Sequence, residues 1–191
     1  MRLAAHGVAK GPLPMTTVTA RTGEVVLVPV EGGQRPTLLA LILSGRMTPA
    51  AGSVTIDGDD DPRMLRRRVA VVDAPDVSAP VDDLPLASVV TEEFVFTGLR
   101  GPRRATRRLL ADEGLSDRAG TPIGDLPAAD RIRVLTRTAA APPDVDALIL
   151  TTPDRHGGDT SSWLDTAHAW AARGYAVIVL ASAGAIAAAR T

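Results

Sequence analysis

The 191-residue chain contains no cysteine. This excludes a disulfide framework, a thiolate metal site and a cysteine nucleophile, and it leaves the redox compartment undetermined. Aromatic residues make up only 3% of the chain, and none occurs before Phe94. A membrane-spanning helix needs roughly 18 or more apolar residues. The longest uncharged run, Gly174 to Ala189, is shorter and is broken by Ser182 and Gly184, so it reads as a buried strand followed by an Ala-rich helix. Net charge is also nearly absent: 21 Lys plus Arg against 22 Asp plus Glu leave -1, which gives no global pull toward nucleic acid or acidic lipid. The segment Met1 to Gly7 has no apolar core of signal-peptide length, so the expected compartment is cytoplasmic.

The composition that remains, 45% apolar with mixed charges, is that of a globular domain able to bury a core. Thr16 to Ala20 and Glu24 to Val30 read as two strands separated at Gly23. Thr37 to Ser44 is apolar on every side and reads as a buried helix, with Pro36 suited to its first turn. Thr48 to Gly52 is a turn, and Ser53 to Asp57 is a strand ending at Gly58. Continuous apolar strands are expected at Arg68–Val72, Asp146–Leu150 and Ala176–Leu180. Helices are expected around Leu86–Leu99, Arg104–Glu113, Ala128–Ala141 and Ser161–Arg173, the last ended by Gly174. Strands without alternation, separated by helices, imply a parallel sheet covered on both faces. The fold class is therefore α/β with an antiparallel start. Residues 1–75 and 126–191 form the expected core, and 76–125 an inserted helical subdomain.

In this order, the pieces resemble the ATP-binding subunits of ABC transporters over nearly the whole chain. The most specific passage runs from Thr37-Leu38-Leu39 through Leu43-Ser44-Gly45 and Pro49-Ala50-Ala51-Gly52 to Asp57-Gly58. Leu65 to Val72 resembles the approach to the family's glutamine loop. Leu126 to Ala140 resembles its signature loop and helix. Leu148-Ile149-Leu150-Thr151-Thr152-Pro153 has the shape of the Walker B strand, and Asp159 stands near the D-loop aspartate. The resemblance implies a P-loop NTPase-like parallel sheet, an N-terminal antiparallel portion and a small helical subdomain.

The chemical positions differ from the family's. A phosphate loop needs glycines for close backbone approach, a Lys for the outer phosphates and a hydroxyl for magnesium. Here Gly32, Gly33 and Thr37 keep the pattern. Gln34 replaces the glycine before the lysine, Arg35 the lysine, and Pro36 the magnesium hydroxyl. Ala74 stands at the glutamine-loop position, Thr151 and Thr152 at the two Walker B acids, Ser182 at the switch histidine, and Pro127-Ala128-Ala129-Asp130 at the signature loop. Threonine neither carries the negative charge nor accepts the proton these roles require. The adenine-stacking aromatic is missing as well.

Among other candidates, Glu31, Asp73 and Asp154 read as loop acids at strand ends, or as relocated catalytic carboxylates. His156 reads as a solvated loop histidine. Arg66-Arg67-Arg68 and the stripe Arg103, Arg104, Arg107, Arg108 read as solvated faces balanced by acids at Asp57 to Asp61 and Glu92-Glu93, in preference to a nucleic-acid surface. Trp163 and Trp170, seven apart on one helix, read as core or interface anchors.

The resulting expectation is a degenerate ABC-type subunit with no catalytic residue and no metal site. It has lost ATP hydrolysis and acts as a scaffold or regulatory partner of a membrane protein. The docking surface lies near Pro75 to Leu99, with Phe94 and Phe96 read as exposed. No cofactor is expected; ATP and magnesium return if the degenerate reading fails. Two alternatives stay open. One is an active ATPase in which Arg35 and one of Glu31, Asp73 or Asp154 substitute for the lost groups. The other is a stand-alone domain binding an anion or another small ligand at the helix N-terminus.

Overall fold

The computed structural model describes residues 1–189. β1 (Arg2–Lys10) and β2 (Leu13–Arg21) form an antiparallel hairpin closed by Gly11 and Pro12. β3 (Val25–Pro29) enters a second sheet and leads into α1 (Arg35–Leu43). β4 (Ala51–Ile56) then returns to pair antiparallel with β1, giving the order β2-β1-β4. α2 (Pro62–Arg68) feeds β5 (Val69–Val72). α3 (Leu86–Phe96), α4 (Pro102–Asp112) and two short 3-10 turns follow. The chain closes with α5 (Ala128–Ala139), β6 (Ala147–Thr151), a 3-10 turn at Pro153–His156, α6 (Thr160–Ala172), β7 (Ala176–Ala181) and α7 (Ala183–Ala188). The second sheet has the order β3-β7-β6-β5, with every neighbouring pair parallel.

This is the α/β architecture with an antiparallel start that the residue pattern implies. Two elements escape that pattern. β1 contains three alanines, a glycine and a histidine, a composition with weak strand preference, and it exists because it is paired on both sides. α2 is short and basic; it is set by Asp61, whose side chain accepts from the Arg63 amide at 2.9 Å, by Pro62 in the first turn, and by arginines in the last turn, where they face the negative end of the helix dipole.

The parallel sheet divides the interior in two because successive strand residues face opposite sides. Ala147 and Ile149 of β6, with Ala176, Ile178 and Leu180 of β7, pack toward Leu39, Ile42 and Leu43 of α1 and toward the antiparallel sheet. Leu148 and Leu150, with Val177 and Val179, pack against the inner faces of α3, α5 and α6. Phe94, Leu109 and Leu110 belong to that same cluster, so the helical segment shares its core with the sheet. Trp163 is buried within it, whereas half-buried Trp170 meets Tyr175 edge-on at 4.9 Å and carries the Arg173 guanidinium over its ring at 4.8 Å.

The arginine run before β5 is structural. Arg68 bridges Asp57 at 2.8 Å and Asp146 at 2.5 Å, joining the turn after β4 to the start of β6. Arg66 donates to the Gly45 carbonyl at 2.9 Å.

Two glycines of the sequence passage most like the ABC family have direct steric reasons. Gly52 has φ +80° and lies in a bulged region of the β1–β4 ladder; a Cβ there would sit 2.3 Å from the His6 carbonyl oxygen and 2.4 Å from that of Gly7. Gly45 has φ +66°, and its Cβ would meet Leu65 Cβ at 2.7 Å and the Pro62 oxygen at 2.8 Å. The left-handed conformation alone costs a non-glycine residue about 1–3 kcal/mol, and the backbone overlap at Gly52 adds to it. Gly52→Ala is therefore expected to lower unfolding stability by more than about 2 kcal/mol. Gly23→Ala, which meets nothing within 4 Å, is expected to lose only the conformational part. Urea denaturation of the two variants measures the difference.

Candidate functional site

The four parallel strands end on one edge, and in open α/β sheets ligands bind outside the carboxyl ends of the strands. Val30 to Gln34 leave β3, Asp73 to Pro75 leave β5, Thr152 to Asp159 leave β6, and Ser182 leaves β7.

The loop after β3 turns through Gly32 (φ 91°) and Gly33 (φ 53°) and reaches Gln34, the N-cap of α1, whose side chain makes no capping bond. Arg35 does not reach over the loop. Its Nε donates to the Pro12 carbonyl at 2.9 Å and its Nη1 to the Glu31 carbonyl at 3.3 Å, drawing the guanidinium toward the β1–β2 turn. Pro36 is buried in the first turn of α1, without an N–H. The Thr37 hydroxyl donates to the Pro75 carbonyl at 3.3 Å, tying α1 to the loop after β5.

The most constrained group is Asp73, whose carboxylate is fully buried and whose φ is +55°. Arg131 of α5 donates to it from Nε at 3.3 Å and Nη2 at 3.1 Å. Arg155 donates from Nη2 at 2.8 Å, and its Nη1 reaches the Asp73 carbonyl at 2.5 Å. His156 places Nε2 2.7 Å from Asp73 Oδ2; facing an ionised carboxylate, that nitrogen is the donor. Exposed Asp82 closes the cluster by accepting from Arg131 Nη1 at 2.7 Å. Burial alone would raise the Asp73 pKa, but hydrogen bonds from His156 and Arg131 and the charges of Arg155 and Arg131 outweigh it, and the carboxyl is held below its ordinary range. Ala74, next in sequence and also buried, begins a tight turn in which its carbonyl accepts from the amides of Ser78 and Ala79.

The ends of β6 and β7 are joined differently. Thr151 is buried, and Thr152 adopts a left-handed conformation while its Oγ1 accepts from Arg155 at 3.0 Å. Asp154 Oδ2 accepts from the Ser182 amide at 3.1 Å, Ser182 Oγ caps α7 through the Ala185 amide at 3.2 Å, and Glu31 Oε1 accepts from the Ala183 amide at 2.7 Å. Two polar atoms, Thr151 Oγ1 and Asp154 Oδ1, are buried without a hydrogen-bond partner among the described residues. Asp159 caps α6 through the Ser161 amide at 2.9 Å, and Asp130 pairs with Arg133 at 2.9 Å.

Four strands in the order β3-β7-β6-β5, a glycine-bearing loop running into a buried helix, a flanking antiparallel sheet and a helical segment between β5 and α5 decide the architecture. The fold is that of an ABC transporter ATP-binding cassette. One solved structure, of an ATP-binding subunit of an ABC transporter, matches with a TM-score of 0.67 at 20% identity, over 98% of this chain and 82% of that one. The dimeric structure of a bacterial ABC transporter cassette matches with a TM-score of 0.69 at 17% identity, over 98% and 90%. No protein-family model and no curated protein matches the sequence. At such identities the likeness carries the cassette fold and not an activity.

Within the cassette fold, Gly32 to Thr37, Thr151, Thr152 and Ser182 gather at one sheet edge, while Asp130 and Asp159 serve local helix geometry. Phe94 is not exposed: it is 5% accessible and belongs to the core, whereas Phe96 is 77% accessible. Helical geometry accounts for this, since Phe94 follows Leu86 and Val90 on the inward stripe and Phe96 lies two positions further round. His156 is not a solvated loop residue either, because its ring is held on Asp73. Arg131 and Arg155 are missed by residue-type reasoning. Arg131 carried a readable signal, since an arginine in register with Val134, Leu135 and Thr138 on the buried side of an amphipathic helix requires an acid partner.

Removing the anion from this cluster takes the buried carboxylate from Arg131 and leaves it only exposed Asp82. Asp73→Asn is expected to cost about 3–5 kcal/mol of unfolding stability at neutral pH. A carboxyl with a lowered folded pKa stabilises above its unfolded pKa, about 3.9, and loses that contribution as pH falls through the folded value. The gap between wild type and Asp73→Asn is therefore expected to stay constant above that range and close in stronger acid, as denaturation midpoints across pH would record.

Proposed function

We propose that the protein is a degenerate ABC-type subunit that does not hydrolyse ATP and acts as a scaffold or regulatory partner of a membrane protein, held at the membrane by that partner. The observation that carries this reading is the engagement of Asp73. Of the three acids near the old site, it is the one set deepest at the strand ends, and four donor atoms on Arg131, Arg155 and His156 already occupy its oxygens. Glu31 and Asp154 each accept an amide at the start of α7.

The residues present do not fit magnesium ATP. Pro36 has neither hydroxyl nor N–H where the metal ligand is needed, Arg35 is turned to the Pro12 carbonyl, and Thr151 and Thr152 carry no charge. Phosphoryl transfer depends on positioning and on charges aimed at the transferred group, so replacing these groups together removes its basis. Among the described residues, no helix is long and apolar enough to cross a membrane, which is consistent with attachment through a partner.

Isothermal titration with magnesium ATP is expected to give no saturable heat at millimolar nucleotide, and a phosphate-release assay no turnover above buffer. Sustained turnover abolished by Arg35→Ala would overturn the proposal. Recovery of the protein in complex with an integral membrane protein when isolated from its native membrane is the positive expectation.

A further inference from the structure

α4 presents a positive face whose arginines form no ion pair among the described residues. Arg103, Arg104, Arg107 and Arg108 are exposed, opposite buried Thr106, Leu109 and Leu110, and exposed Arg100 precedes them. The acids closest in sequence are already taken: Asp112 accepts from Arg137 at 2.7 Å, and Glu113 accepts from Arg133 and Arg137 at 2.5 Å each. None of the five arginines pairs with a carboxylate among the described residues, although Glu92 lies across a shallow concavity from Arg103.

The same concavity is walled by Val95 and Phe96, so the charged face continues into an apolar one. Val95 is 56%, Phe96 77% and Leu99 40% accessible. A phenylalanine this exposed projects from the surface at the rim of that shallow concavity. Basic side chains beside projecting apolar ones are the chemistry of the boundary between lipid headgroups and acyl chains, where arginines meet anionic headgroups and the apolar side chains enter the interface. A nucleic-acid surface would use the arginines but leave Val95 and Leu99 without a role.

We propose that the end of α3, the turn at Thr97–Gly101 and the exposed face of α4 form a contact site for an anionic lipid surface. The site needs no nucleotide chemistry, and this direct lipid contact adds to the attachment through a protein partner proposed above. The interaction is peripheral, because its apolar part is small and its charges lie on one helix face.

The test uses the full chain and sedimentation with vesicles of phosphatidylcholine alone or mixed with phosphatidylglycerol. Wild type is expected to pellet with the anionic vesicles and to be released as salt rises above about 0.1 M, where the screening length falls below roughly 10 Å. Arg103→Gln with Arg107→Gln is expected to weaken partition roughly 25-fold, at about fivefold per arginine. Phe96→Ser is expected to weaken it without changing the salt dependence, and circular dichroism establishes that both variants are folded. Absence of wild-type pelleting, or pelleting of the arginine variant at wild-type strength, overturns the proposal. So does tighter binding to a single-stranded oligonucleotide that Phe96→Ser leaves unchanged.

Discussion

A carboxylate withdrawn from water must find its compensation in the protein, and at Asp73 that requirement ties three separate stretches of chain together. Asp73 ends β5, Arg131 lies on the buried face of α5, and Arg155 with His156 forms the turn after β6. Ionised Asp73 balances part of the positive charge that would otherwise be stranded on Arg131, and the strained φ of +55° is held because the surrounding donors converge on one position. The strand ends of the cassette fold are therefore linked by the protein's own charges.

A second tie runs through α7. Its first amides are met by Glu31 from the loop after β3 and by Ser182 itself, while Asp154 holds the amide of Ser182. Acids at a helix start complement its dipole and its unpaired N–H groups. Together the two ties give structural work to each acid that a sequence reading would nominate for chemistry. Arg35 lies outside both ties, with its charge directed to the main-chain carbonyls of Pro12 and Glu31.

The sheet and most helices were legible in the sequence because their signal is local: continuous apolar runs at β5, β6 and β7, and the buried helix after Pro36. β1 was not, since Arg2 to Lys10 acquires its strand conformation from two neighbours distant in sequence. At the site, the residue types at Gln34, Arg35, Pro36, Thr151 and Thr152 were legible, whereas the direction each side chain takes was not. Phe94 and Phe96 show the same limit in small form, since which of two nearby aromatics faces inward depends on the phase of α3.

The partners of Asp73 lie 58 to 83 positions away along the chain. Contacts of such separation come at the expense of loop-closure entropy, which the apolar packing that holds β5, β6 and α5 together offsets. The charge cluster therefore depends on the apolar packing of the sheet and α5, which alone brings its three stretches of chain within reach of one another.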